Sequence, residues 1–207
     1  KKLRPGDLLG NRFEILLREV KGDRAAIERN LTLVKQYGVP NYFGPQRFGQ
    51  AGDNVANGMA MLKREIRVRN KKKKGIYLSS VRSFLFNEVL AARIRSGLWG
   101  QSLKGDILTD EGVATGPMWG RGRLTTTDDA LALESEIAEQ HPELCEGLEF
   151  SGLNQDRRAL AAMPGNMTWS WQEESHLLLT FSLPAGYYAT SLIRECIETT
   201  EPERYVP

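Results

Sequence analysis

Apolar and polar residues alternate in two segments that lie far apart along the chain. In residues 8–20, Phe13, Ile15 and Leu17 recur at every second position, which predicts a strand with one buried face. Residues 176–183 (HLLLTFSL), within a longer strand-like region at 169–183, predict a second. Because a two-stranded sheet is marginally stable on its own, we expect further strands, including strands outside these 207 residues.

Between these segments the apolar spacing changes to that of helices. Residues 78–98 give the strongest helical pattern, with an apolar stripe that includes Val81, Leu85 and Val89 and with Ser79 or Ser80 as its cap. Weaker patterns predict further helices at 23–37, 54–66, 127–140, 155–163 and 188–199. The segment 38–53 is rich in Gly, Pro, Asn and aromatic residues and predicts an ordered loop. The segment 102–122 is broken by glycines and a proline and predicts short strands or loops. The fold class expected from this order is α+β.

Composition argues against several classes of protein. No apolar run approaches the roughly 18–20 residues that a membrane span needs, and no secretory signal is visible. Cys145 and Cys196 form no CxxC pair, and His141 and His176 are isolated, so the sequence predicts neither a disulfide framework nor a metal site. We expect a protein of the reducing cytoplasm, without a membrane span or a metal site.

The net charge of +2 is small, but the basic residues are unevenly placed. Eight of the 28 Lys and Arg residues lie between Lys63 and Lys74, whereas acidic residues concentrate in 128–149. A basic stretch of this kind is typical of a surface that contacts phosphate. A solvated helix or loop face explains it equally well.

Three short blocks carry a family resemblance: GNRF at 10–13, GVPNYFGPQRFG at 38–49 and LPAGYYATSLIRE at 183–195. Together they resemble the TruD family of tRNA pseudouridine synthases, and the resemblance extends over nearly the whole chain. The family's nucleophilic aspartate lies in a GxKD segment upstream of GNRF, and these 207 residues contain no GxKD. The chain is therefore expected to correspond to the C-terminal two-thirds of such an enzyme, and to be inactive alone.

The resemblance also implies a domain organisation. In the family, an inserted domain interrupts the catalytic domain. On this sequence, residues 1–37 and 161–207 would be parts of the catalytic pseudouridine synthase domain, and residues 38–160 would form the largely helical TruD insert domain. The two strands predicted from periodicity fall in the two flanking parts.

The implied reaction is the isomerisation of a uridine in the D-arm of tRNA to pseudouridine. It needs no cofactor or metal, but it needs an unstacked nucleotide, a pocket for the base and a carboxylate beside the sugar. No residue of this chain is predicted to be the nucleophile. Aspartates without the family's context are weak substitutes: Asp7, Asp53, Asp106, Asp110, Asp128, Asp129 and Asp156. The implied partner is tRNA, and the complete protein is expected to be a monomer.

Three residues are expected to bind the uracil. Asn11 matches the family's active-site asparagine, and its amide can read the base edge or hold the catalytic carboxylate; the competing interpretation is a tight Gly-Asn turn. Phe13, on the same strand face, would wall the pocket or pack in the core. Tyr188 matches the aromatic residue of the LPAG segment and would stack on the base. Tyr187 competes with it, and periodicity does not separate the two.

Basic and aromatic residues are expected to contact the RNA or line the cleft. Arg47 and Phe48 belong to the second block, whose alternative role is a hinge loop. Lys71, Lys72, Lys73 and Lys74 would grip the tRNA backbone with Arg47. Arg194 would pair with the upstream aspartate, or form a structural ion pair with Glu195 or Glu198.

A second hypothesis comes from a different class of protein. The chain would be a non-catalytic RNA-binding fragment that retains the basic stretch and half of the pocket. Phosphate contacts dominate such binding, so its affinity should fall steeply with salt. A domain without any RNA role leaves the three blocks unexplained.

Overall fold

The computed structural model describes residues 9–173 and 175–200, which form a mixture of helices and strands as predicted for an α+β fold. The chain divides into two compact units. Unit 1 is made of residues 1–39 and 162–207, and unit 2 of residues 40–161. The chain passes between the units in two short strands that pair with each other, β2 (Val39–Pro40) and β5 (Ala161–Ala162).

Unit 1 contains an antiparallel three-stranded sheet. Its strands β1 (Gly10–Leu17), β6 (Gly165–Gln172) and β7 (His176–Pro184) are arranged in the order β1-β7-β6. The alternation seen in the sequence reflects real burial, because Leu177, Leu179 and Phe181 of β7 are almost inaccessible to solvent. The two strands predicted from periodicity therefore exist and are direct neighbours.

Two helices pack on the same core. The first, α1 (Arg24–Tyr37), begins at Asp23, whose carboxylate accepts a hydrogen bond from the Ala25 N–H at 2.9 Å. Its buried residues recur at helical spacing as predicted. The second helix, α7 (Ala189–Cys196), contributes Leu192, Ile193 and Cys196 to this core.

Unit 2 is largely helical. Its helices are α2 (Pro45–Phe48), α3 (Asp53–Leu62), α4 (Lys71–Arg95), α5 (Asp128–Gln140) and α6 (Pro142–Glu149). The strands β3 (Thr115–Met118) and β4 (Asp156–Ala159) pair antiparallel beside them. The apolar stripe of α4, with Val81 and Leu85, packs against Leu144 and Leu148 of α6. No described helix is both long and apolar enough to cross a bilayer.

Two ion pairs between well-buried groups fix the interior of unit 2. Arg93 of α4 forms a bidentate pair with Asp106, whose carboxylate also accepts the Leu103 N–H at 2.7 Å. Arg157 of β4 pairs with Glu134 of α5 at 2.6 Å, and Thr126 donates a hydrogen bond to the same glutamate at 2.8 Å. Buried charges persist when they are paired and hydrogen-bonded in this way.

Three features differ from the sequence prediction. The helix expected at 78–98 begins at Lys71, because Asn70 caps it by accepting the Lys73 N–H at 3.0 Å. The helix expected at 155–163 is wrong, since residues 156–159 form β4, whose ladder with β3 overrides a weak helical pattern. The short helices α2 and α6 were not predicted, and each begins with a proline at its first position.

Candidate functional site

The first and third sequence blocks are neighbours in unit 1. Asn11 pairs with Leu183, and Gly10 pairs with Pro184, in the ladder between β1 and β7. Beyond the ladder, Ala185 donates a backbone hydrogen bond to the Leu9 carbonyl at 3.2 Å. The alternative of a Gly-Asn turn is wrong, because both residues lie in β1. The ladder thus brings GNRF beside the start of LPAGYY.

Asn11 and Phe13 lie on the same face of β1 but in different surroundings. Phe13 stacks on Phe181 with the ring centroids 5.3 Å apart and packs against the core of unit 1. Asn11 lies two residues before Phe13, near the N-terminal end of β1, where its side chain is exposed. Phe13 therefore packs partly into the core of unit 1, and its contact with the uracil stays a prediction.

The turn after β7 presents two tyrosines. Gly186 has φ +85, a left-handed conformation that favours glycine, and Tyr187 donates to the Pro184 carbonyl at 3.3 Å. Tyr187 packs against the core, whereas Tyr188 is the half-buried residue that precedes α7. The carbonyl of Tyr188 accepts from the Ser191 N–H at 3.2 Å.

Arg194 lies exposed in the last turn of α7. A cation there complements the negative end of the helix. Among the ion pairs of the described residues, none joins Arg194 to Glu195 or Glu198. The structural alternative expected for this arginine is therefore not seen.

The second block is held within unit 2 by side-chain amides. Asn87 of α4 accepts the Phe43 N–H at 3.0 Å and donates to the Phe43 carbonyl at 3.1 Å. Asn41, itself buried, donates to the Ala159 carbonyl at 2.7 Å and accepts from Arg158 at 2.7 Å. These contacts account for the ordered loop predicted from its glycines and prolines.

Two guanidinium groups lie against Phe43. The Arg47 group is 5.3 Å from the ring centroid and the Arg158 group is 4.1 Å away. Arg47 also donates to the Ser79 hydroxyl at 3.0 Å, and its carbonyl accepts from Ser80 at 2.8 Å. Arg47 and Phe48 are both half-buried. Arg158 is absent from the sequence prediction, because its segment was expected to be a helix.

The four lysines predicted to contact RNA occupy the first turn of α4. Lys71, Lys72, Lys73 and Lys74 are all exposed. Cations are unfavourable at this end of a helix, where the backbone dipole is positive. The four positive charges therefore lie at the end of α4 where the helix dipole disfavours them.

The aspartates weighed as substitute nucleophiles lie elsewhere. Asp7 is outside the described residues, and the other six are in unit 2, whereas Asn11 and Tyr188 are in unit 1. Asp106 is buried against Arg93. Hydrogen bonds from Lys104 and Thr127 lower the pKa of Asp128. In the described part of unit 1, the sole aspartate is Asp23, which caps α1.

A metal site is not apparent in the described part of the chain, where no three His, Cys, Asp or Glu side chains cluster suitably. The two cysteines are free and buried. Burial raises the pKa of both Cys145 and Cys196 to about 12, and Glu149 and Glu195 respectively add to the effect.

Known proteins resemble this chain over most of its length. The family model for tRNA pseudouridine synthase D (TruD) matches residues 1–68. A tRNA pseudouridine synthase D from Hydrogenovibrio crunogenus is 39% identical over 220 residues, which cover 96% of this chain and 64% of the relative. One from Vibrio parahaemolyticus is 38% identical over 226 residues, covering 99% and 65%. The chain thus spans less than two-thirds of the length of these relatives.

A solved structure shares the fold. The putative TruD from Methanosarcina mazei superimposes with a TM-score of 0.65 at 18% identity, covering 92% of this chain and 69% of that one. Together with the curated relatives, it agrees with the resemblance carried by the three sequence blocks. Over nearly its whole length, this chain is a homologue of the TruD family of tRNA pseudouridine synthases.

Proposed function

We propose that the protein containing this chain converts a uridine in the D-arm of tRNA to pseudouridine. The observation that carries the proposal is the pairing of Asn11 with Leu183, which joins two of the family's blocks at one end of the β1–β7 ladder. The relatives of this chain are named tRNA pseudouridine synthase D. Unit 1 would be part of the catalytic domain, and unit 2 the TruD insert domain.

The proposed reaction exchanges one glycosidic bond for another. The bond between C1′ of the ribose and N1 of uracil breaks, the base turns, and a bond forms between C1′ and C5. The hydrogen on C5 leaves as a proton, and N1 gains one. A carboxylate must act beside the sugar. We assign this carboxylate to the aspartate of a GxKD segment that lies outside these 207 residues.

The residues of this chain would hold the base and the carboxylate. Tyr188, the aromatic residue of the LPAG segment, would stack on the uracil. The exposed amide of Asn11 has both a donor and an acceptor for the base edge or the carboxylate. Arg194 would pair with the same carboxylate.

Unit 2 would contribute to RNA binding. Lys71–Lys74 and Arg47 are the proposed phosphate contacts, with Phe48 beside them. Arg47 is already bonded within unit 2, so the exposed lysines would supply most of the charge. We place the complete protein in the cytoplasm as a monomer whose partner is tRNA.

The alternative is an RNA-binding protein without catalytic activity. It is favoured by the basic first turn of α4. The two proposals make different predictions for the same RNA, because only the enzyme removes the hydrogen from C5.

Tritium release separates the two. A tRNA transcript labelled at C5 of its uridines is incubated with the product of the whole gene and, in parallel, with the present chain. We expect release from the first and none from the second. Binding without release by the whole product would overturn the enzyme proposal and leave the RNA-binding alternative. Release by the present chain would overturn the placement of the nucleophile outside it.

A further inference from the structure

A cavity of about 430 Å³ lies within unit 2, between the C-terminal end of α3, the start of α4 and α6. Its volume is in the range of small-ligand pockets, roughly 300–1,000 Å³. Apolar side chains, including Leu62 and Leu78, form part of its wall, and Gly147 of α6 lies close to Leu62. None of the residues proposed for the uracil pocket lines it.

An aromatic ring stands exposed at this cavity. Phe150, which follows α6, leaves 81% of its surface open to solvent, far more than the other described phenylalanines. Only its backbone is used to end the helix, through a bond from its N–H to the Glu146 carbonyl at 3.1 Å. A large aromatic side chain that contributes so little to the core is a candidate for a stacking contact.

Two cations line the same cavity in locally unfavourable positions. Arg64 has φ +63, a left-handed conformation that costs an arginine free energy and a glycine almost none. Lys74 lies in the first turn of α4 with three further lysines before it. Together with Phe150, these are three local costs that converge on one cavity, as is expected where a sequence is shaped by binding.

Acidic groups are present as well. Glu143 is held by Lys63 at 2.8 Å, and this contact raises the pKa of Lys63. Glu146 is the remaining carboxylate of the lining. The charges of Lys63 and Glu143 cancel, so Arg64 and Lys74 outweigh Glu146 and leave the cavity lining with a net positive charge. Lys71–Lys73 add further positive charge beside it. The complementary ligand is an anion that also has a flat apolar face.

We infer that this cavity binds an unpaired nucleotide of RNA, with the base stacked on Phe150 and its phosphate held by Arg64 and Lys74. An apolar peptide would leave these cations without a role, whereas a nucleotide satisfies both features. The inference rests on the proposed contact with RNA but not on the isomerisation. It assigns unit 2 a base-binding site separate from the uracil pocket of unit 1.

The test is direct binding to two RNA probes. Fluorescence anisotropy is measured on the complete chain with two labelled probes. One is an oligouridylate, and the other is a blunt-ended RNA hairpin whose only unpaired bases are those of its loop. Loss of one stacked base is expected to weaken oligouridylate binding about 5- to 150-fold in Phe150→Ala, and the hairpin is expected to be much less affected. Leu108→Ala, at another exposed apolar position of unit 2, should leave both affinities unchanged.

Conservative variants keep the test decisive. Phe150→Trp should retain binding, and its added indole fluorescence should be quenched by saturating oligouridylate. Phe150→Leu should bind as weakly as Phe150→Ala, because it keeps apolar area but cannot stack. Equal binding by Phe150→Ala and the unchanged chain, or full binding by Phe150→Leu, would overturn the inference. Tritium release is not measured here, so a failure of the proposed isomerisation would not alter this result.

Discussion

Asn11 of β1 lies directly opposite Leu183 of β7 in the antiparallel ladder of unit 1. Leu183 is buried, whereas Asn11 is exposed at the end of the row that contains Phe13. The pairing therefore fixes a polar amide at the point where the ladder ends and the turn with Gly186 and Tyr188 begins. Any change that shifts this register would separate the two family blocks.

Gly10→Ala should disturb that register. A Cβ at Gly10 would lie 2.5 Å from the Leu183 carbonyl oxygen, so the backbone of β1 or β7 must move. We expect a loss of about 1–3 kcal/mol in the free energy of unfolding, measured by urea denaturation. In an active complete protein, pseudouridine formation should fall as well.

The matched control is Gly75→Ala in α4. A Cβ there meets no atom within 4 Å, and alanine is the better helix former. We expect a gain of about 0.5–1 kcal/mol. If both substitutions shifted stability in the same direction, the close approach of Gly10 and Leu183 would not constrain the sheet.

Tyr188 and Tyr187 should separate into a functional and a structural residue. Tyr188→Ala should lower kcat/KM for tRNA about 5- to 150-fold, because a stacking contact is lost, with little change in melting temperature. No side-chain hydrogen bond of Tyr188 caps α7. Tyr188→Phe should retain activity.

Tyr187→Ala is the comparison, because Tyr187 packs against the core of unit 1. It should lower the melting temperature clearly, in line with a loss of about 1–3 kcal/mol for a half-buried aromatic residue. Full activity in Tyr188→Ala together with inactivity in a folded Tyr187→Ala would reverse the two assignments.

The sequence predicts well the helices and strands that have a regular spacing of apolar residues. It predicts poorly the elements that are set by contacts between residues distant in the chain. The strands around Ile15 and Leu179 follow from alternation, because each has one face in the core. The strand containing Arg158 does not, since its ladder with β3 and its contact with Asn41 are set by residues distant in the chain. A weak local preference cannot reveal such partners.

The candidate site shows the same division. Asn11 and Tyr188 are recognisable because they sit in family blocks, yet the pairing of Asn11 with Leu183 that joins the two blocks depends on a register that no local pattern specifies. Phe150 and Arg64 lie in no such block. Their exposure and backbone conformation are visible only in the folded chain.

Arg93 and Asp106 should be mutually dependent. Both groups are buried, so Asp106→Asn leaves the guanidinium without its counter-charge. We expect a loss of about 3–5 kcal/mol in unfolding free energy, and substantial recovery in the double variant Arg93→Met with Asp106→Leu. The exposed pair of Lys104 and Asp128 is the control, and Lys104→Ala should change stability little. Similar losses from the buried and exposed pairs would contradict this assignment.

Cys145 and Cys196 should resist alkylation until pH is high. With a pKa of about 12 in the folded protein, only about one thiol in ten thousand is ionised at pH 8, against roughly a quarter for an unperturbed thiol. The pKa of each thiol is higher in the folded protein than in the unfolded chain. The protonated thiols therefore favour the folded state fully below about pH 8.5, and this stabilisation declines as pH rises towards 12.

Iodoacetamide labelling followed by mass spectrometry measures this directly. Both cysteines should react slowly at pH 8 in buffer and rapidly in urea at the same pH. Rapid labelling of either cysteine in the folded protein would show that its burial is not maintained in solution.

Lysines in the first turn of α4 should lower the stability of the protein and strengthen its binding to RNA. Lys71 and Lys72 are exposed at the positive end of the helix dipole, so replacing both by alanine should raise unfolding free energy by about 0.3–1 kcal/mol per residue. If each contacts one phosphate, the slope of log affinity for tRNA against log salt should become shallower by about 1 per lysine.

The double variant Arg18→Ala with Lys21→Ala removes the same charge from an exposed segment of unit 1 and should alter that slope less. Anisotropy titrations with tRNA at several salt concentrations measure both variants. Equal slopes for the two would mean that net charge, and not the position of the lysines on α4, governs binding; a helix that gained stability without any loss of affinity would leave its basic first turn without a function in RNA recognition.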